Sequence, residues 1–132
     1  MRLALAYIIT AAVMAGLDAV WLGTLTKAVY QPAIGALLAD RTNIPAAILF
    51  YILYVAGIVL FAVAPALRAQ SWLTALALGA AAGFFAYMTY DLTNLATLKV
   101  WPSWLAAMDI AWGTLVTGIA ATAGYAAVAR FG

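Results

Sequence analysis

WLTALALGAAAGFFAYMTYDLTNLATL, the run from Trp72 to Leu98, is a sequence of apolar and small residues interrupted by a single charge, Asp91. A helix needs about 20 such residues to cross the ~30 Å hydrocarbon core of a bilayer, and this run supplies them. It is continuous, rich in Ala and Leu and without a period of two, so a helix is expected rather than a barrel strand. Three further runs read the same way. One extends from about Leu3 to Leu25, broken only by Asp18. Another, from about Pro45 to Leu67, carries no charge, and the last, from about Trp104 to Val128, contains Asp109. The expected fold is an all-α integral membrane protein in which four transmembrane helices form a compact bundle. Residues 1–132 are read as a single four-span domain.

Composition supports this outward reading. Of 132 residues, 69% are hydrophobic and 8% charged, and the mean hydropathy is +1.09, far from the mix of a soluble domain. The lipid bilayer is therefore the first partner. The net charge of +2 comes from scattered basic residues that make no face, which argues against nucleic-acid binding. With no cysteine and no histidine, disulfides, thiolate nucleophiles, zinc sites of those ligands and imidazole acid/base chemistry are excluded. The run from Leu3 lacks a strongly charged preceding region and a small-residue cleavage site, so it is read as a retained span.

Boundary residues sharpen the spans. Thr42 and Asn43 precede Pro45, while Ser71-Trp72 and Ser103-Trp104 open the third and fourth spans, each with a serine placed to cap and a tryptophan suited to the headgroup level. Pro65 marks a kink or a last turn. The one long connection, Thr26 to Thr42, contains Gln31-Pro32 followed by Ile34, Leu37 and Leu38 on one face. A short interfacial helix between the first and second spans is expected there. Gly79 and Gly83, in a GxxxG of small residues, and Gly113, Gly118 and Gly124 are expected to let helices approach closely.

The polar residues inside the spans follow a pattern. Asp18 and Asp91 each precede the end of their span by seven residues, at Leu25 and Leu98, and Asp109 follows Pro102 by seven. At 1.5 Å rise per residue each would sit ~10 Å below the surface that carries the first-to-second and third-to-fourth connections. Tyr51 falls at a similar level, so one acid layer is expected. A charge in a span costs on the order of 3 kcal/mol unless paired, hydrated or neutralised. The acids therefore either serve a site or are held by interhelical hydrogen bonds, by Lys27, Arg41 or Lys99, or by a wet mouth. Asp18-Ala19-Val20-Trp21 and Asp109-Ile110-Ala111-Trp112 repeat an aromatic three residues after an acid, an arrangement that either holds a cation by its π-face or supplies a belt tryptophan in Trp21 and a packing one in Trp112. Because those spans are antiparallel, Trp21 is expected nearer the surface and Trp112 deeper. In the third span Tyr87, Asp91 and Asn94 share a face, overlapped by Tyr90. The candidate ligand-binding residues are thus Asp18, Trp21, Tyr51, Tyr87, Tyr90, Asp91, Asn94, Asp109 and Trp112. No catalytic set, metal motif or cofactor is identified.

Leu17-Asp18-Ala19-Val20-Trp21-Leu22-Gly23, Leu49-Phe50-Tyr51-Ile52-Leu53-Tyr54, Thr89-Tyr90-Asp91-Leu92-Thr93-Asn94-Leu95-Ala96-Thr97-Leu98 and Asp109-Ile110-Ala111-Trp112-Gly113-Thr114 resemble the DUF2177 family of small bacterial membrane proteins. The resemblance spans nearly the whole chain and implies a multi-pass protein of the bacterial inner membrane. The family has no known function, so no mechanism is transferred. Three basic residues on each side leave the charge rule tied, and both termini are expected in the cytoplasm. The expected function is binding, with transport as its extension, of a cation, a proton or a polar small molecule at the acid layer; transport would call for a homo-oligomer. Ranked behind it are an accessory subunit of a larger membrane complex and an enzyme acting on a lipid or isoprenoid.

Overall fold

The computed structural model describes residues 1–132, which form helices and no strand. Helix α1 spans Arg2–Leu25 and runs through a wide π-helical turn, Thr26–Tyr30, into α2, Gln31–Ile34, and a 3₁₀ turn, Gly35–Leu37. Helix α3, Ile44–Ile58, continues through a second π-turn, Val59–Val63, into α4, Ala64–Ala69. Helices α5, Trp72–Thr97, and α6, Ser103–Phe131, complete the chain. The four resulting rods, Arg2–Leu37, Ile44–Ala69, Trp72–Thr97 and Ser103–Phe131, are long and apolar enough to cross a membrane.

Both wide turns lie just ahead of a proline, Pro32 and Pro65. A proline ring crowds the carbonyl four residues back and offers no N–H to it, and widening the preceding turn moves that carbonyl aside without ending the helix. The expected short helix after the first span is present, but it is joined to that span by the π-turn instead of standing apart, so the first rod does not end at Leu25. Ile34 is buried, while Leu37 and Leu38 remain exposed.

Capping follows the sequence at two of three places. The Asn43 side chain accepts from Ala46 N–H at 3.2 Å, and Ser71 Oγ accepts from Thr74 N–H at 3.2 Å. Ser103, expected to cap, is instead the first residue inside α6, whose cap position is held by Pro102 without a side-chain bond. Between α4 and α5 the turn is made by Gln70 in the left-handed region, φ 53°.

Helix α6 is the centre of the bundle: it contributes ten of the 25 buried residues, and α5 and α1 both pack on it. Small residues make the contact. A Cβ on Gly79 would lie 2.7 Å from Ala121 Cβ, one on Gly83 would meet the Gly113 carbonyl, and one on Gly124 would come 3.1 Å from the Ala6 carbonyl of α1. In lipid, where apolar burial between helices gains little, this close approach is what holds them. The second rod joins unevenly. Its π-turn and α4 pack on α5, whereas α3 makes no comparable contact there. Ile44, Ile48, Leu49, Ile52 and Leu53 of α3 are exposed. The rod therefore diverges from α5 toward its Ile44 end, and a cavity opens between them.

Candidate functional site

The cavity has a volume of about 990 Å³, at the upper end of the usual range for small-molecule sites, ~300–1,000 Å³. Phe50 and Tyr54 of α3 form one wall and Ala86, Tyr87 and Tyr90 of α5 the other. The first connection covers it through Tyr30, Gln31 and Ile34, and Trp101 and Asp109 close the α6 side. Asp40 stands exposed at the rim. Tyr87 meets Tyr54 edge-on, with ring centroids 6.4 Å apart, and Tyr90 meets Trp101 edge-on at 5.5 Å. Gly113 is what admits the Tyr87 ring, since a Cβ at that position would fall within it. Below this pair, the Tyr54 hydroxyl bonds Thr117 Oγ1 at 2.9 Å, tying the cavity floor to α6.

Behind the cavity the two Asp-x-x-Trp motifs are interlocked. Trp112 Nε1 donates to Asp18 Oδ1 at 3.0 Å, and Tyr51 OH donates to Asp18 Oδ2. Trp21 Nε1 donates to Tyr30 OH at 2.9 Å, and Tyr30 donates in turn to Asp109 Oδ1 at 2.9 Å. The Trp21 and Trp112 rings stack between these two arms, 4.3 Å apart and 9° from parallel. Each tryptophan thus serves the acid of the opposite helix, one directly and one through Tyr30. This corrects the expected separation of Trp21 above and Trp112 below. Helical side chains lean toward their own N-terminus, so in antiparallel α1 and α6 the two rings lean toward each other and meet.

The acids divide between two neighbourhoods. Asp18 is buried with Tyr51 and Trp112, whereas Asp109 lies in the cavity wall with Tyr30. Asp91 is fully buried, with the Asp109 carboxyl and the Trp101 indole as its polar neighbours, and no aligned donor reaches its oxygens unless one of the two acids carries a proton. The Trp101 Nε1–H is likewise buried and unpartnered. No three carboxylates gather as a metal-binding group. Lys27, Arg41 and Lys99 are exposed, and the bonded partners of Asp18 and Asp109 are tyrosine and tryptophan, not bases.

Of the residues singled out in the sequence, Tyr87, Tyr90 and Asp109 line the cavity. Asp18, Trp21, Tyr51 and Trp112 form the interlocked network, and Asp91 stands beside Asp109. Asn94 is half-buried on α5 and does not reach the cavity. Tyr30, Tyr54 and Trp101 were not singled out. Tyr30 falls in a stretch that reads as a connection, and Trp101 in a short turn before Pro102; their partners come from other helices.

Asp18 depends on its donors. Tyr51→Phe removes one and leaves a buried carboxylate oxygen without compensation, for which a loss of about 1–3 kcal/mol is expected. A denaturation midpoint equal to that of wild type in reconstituted protein would show the bond to be dispensable.

No curated protein and no solved structure matches the chain. The family model for DUF2177, described as a predicted membrane protein, matches residues 3–126, and the chain belongs to that family.

Proposed function

We propose that this multi-pass membrane protein binds a small organic cation in the cavity, with Asp109 as its counter-charge. The observation that carries the reading is a carboxylate set in an aromatic wall with no protein cation paired to it: Asp109 has one oxygen engaged by Tyr30 and faces a space lined by Phe50, Tyr54, Tyr87, Tyr90 and Trp101. A cation over such rings gains about 0.5–2 kcal/mol per contact, more as water is excluded. A bare divalent ion is a poorer fit, since it wants about six oxygen ligands and no three carboxylates converge. In this reading Asp18, Tyr51, Trp21 and Trp112 position the cavity's back wall, Asp91 sets the charge beside Asp109, and Asn94 plays no direct part. The chain acts as one four-span domain in a bacterial inner membrane with both termini in the cytoplasm, and transport would be an extension of binding that a second copy completes.

Binding of tetraphenylphosphonium to the purified protein in phosphatidylcholine nanodiscs, measured by calorimetry, tests this directly. The cation is expected to bind, its anionic isostere tetraphenylborate is not, and Asp109→Asn is expected to weaken the cation about tenfold or more, roughly 1.4 kcal/mol. Equal binding of both ions, or an unchanged affinity in the Asn variant, would remove Asp109 as the counter-charge.

A further inference from the structure

We infer that the ligand is a single-chain amphiphile, a cationic head on a hydrocarbon tail, that enters the cavity sideways from the bilayer between α3 and α5. The inference rests on the reading of Asp109 as the anchor for the head and adds the tail and the route.

The route follows from the uneven seating of the second rod. Helix α5 packs on Val59–Val63 and α4 but not comparably on α3, so above the contact of the Tyr54 and Tyr87 rings α3 and α5 stand apart. Its two lips are Phe50 on one side and Ala86 with Tyr90 on the other; all three line the cavity, and all three are also exposed. Depth decides what they are exposed to. Phe50 lies six residues into α3 from Ile44, about 9 Å along its axis, and Tyr90 and Ala86 lie seven and eleven residues before Thr97, about 10 and 16 Å. The interfacial layer on each side of the ~30 Å hydrocarbon core is only about 5–8 Å thick. With the helix ends set at the outer face of that layer, the mouth opens onto acyl chains. Asp109, six residues into α6 from Ser103, is about 9 Å along its own helix. A head held there would leave its tail level with the lips.

The ligand's chemistry follows from the same arrangement. Polar lining residues lie at Asp109 with Tyr30 and, on the side of the first connection, at Gln31, Asp40, Thr42 and Asn43, while the wall from Asp109 to the mouth between α3 and α5 is carbon and aromatic ring. A compact hydrophilic cation would leave that wall unused and would have to cross hydrocarbon to reach the mouth. A tail already dissolved in the bilayer needs no such crossing, and the carboxylate selects the sign of the head.

A long-chain alkyltrimethylammonium carrying a diazirine on its chain tests the proposal in wild-type protein in phosphatidylcholine nanodiscs. Light is expected to attach it to Phe50, Ala86 or Tyr90, as mapped by mass spectrometry, and excess dodecyltrimethylammonium is expected to suppress that labelling. Label confined to Gln31 and the Leu38–Asn43 segment, or label at the lips that the competitor leaves unchanged, would overturn lateral entry even if tetraphenylphosphonium binds normally. Competable label at the lips that survives in Asp109→Asn would instead leave the mouth standing and defeat Asp109 as the anchor.

Discussion

Gly83→Ala is expected to destabilise the bundle by about 2–4 kcal/mol through overpacking at a rigid contact. The added Cβ would meet the Gly113 carbonyl and lie 2.7 Å from both Cβ and Oγ1 of Thr117. Neither obstacle is the free end of a flexible side chain. One is helix backbone, and Thr117 is fully buried, with its hydroxyl bonded to Tyr54 at 2.9 Å. Relief requires α5 to move away from α6, which would forfeit the close approach that holds these helices in lipid. The movement would also shift Tyr54 and Tyr87, so cavity binding should weaken along with stability. Helix propensity acts the other way, by about 1 kcal/mol in favour of alanine, and is outweighed. Gly57→Ala is the matched control, because a Cβ there meets nothing within 4 Å; it is expected to be neutral or slightly stabilising. Denaturant titration of both variants in the same lipid or micelle gives the comparison. Equal midpoints would mean that the α5–α6 contact is looser than the packing of Gly83 implies.

How the residues were legible in sequence depends on what set their positions. The spans were readable because bilayer thickness fixes helix length, and Asn43 and Ser71 as caps because the cap bond is local. The GxxxG of Gly79 and Gly83 was readable as a contact, though not its partner helix. What was not readable arises between elements. A π-turn relieving Pro32 carries the first helix past Leu25 and brings Tyr30 back over Trp21, nine residues earlier, and no hydropathy pattern encodes that. The same turn divides the acids, Asp109 with Tyr30 and Asp18 with Tyr51 and Trp112, a division that position along a span does not carry. The crossing of Trp21 and Trp112 depends on the direction in which side chains lean, which residue spacing alone does not carry. The cavity depends on the divergence of α3 from α5, and α3 reads in sequence as the blandest of the spans.

Asp91→Leu is expected to raise stability by about 1–3 kcal/mol, the opposite of what losing a buried hydrogen-bonded acid does. Asp91 is 0% exposed, and its polar neighbours are a second carboxyl, Asp109, and the Trp101 indole, with no base or hydroxyl to bond it. A buried polar group without partners costs free energy in proportion to the water it gave up, and an apolar side chain of similar volume removes that cost without opening a void. Asp18 provides the contrast. Its oxygens are held by Tyr51 and Trp112, so Asp18→Leu would strand two donors and is expected to destabilise. Two buried acids in one bundle are thus expected to respond to the same substitution with opposite signs. An acid that weakens the fold is explained only by something else it does, and Asp91 has Asp109 of the cavity wall as a polar neighbour. A cation bound at Asp109 favours loss of the proton that two adjoining carboxyls share, and Asp91→Leu removes that second charge, so the variant should bind tetraphenylphosphonium less tightly while unfolding later. Stability and affinity are measured on the same reconstituted sample. A variant that loses stability to the extent expected for Tyr51→Phe would show Asp91 to be a structural acid with a partner of its own, whereas a stabilised variant with unchanged affinity would separate Asp91 from the binding site.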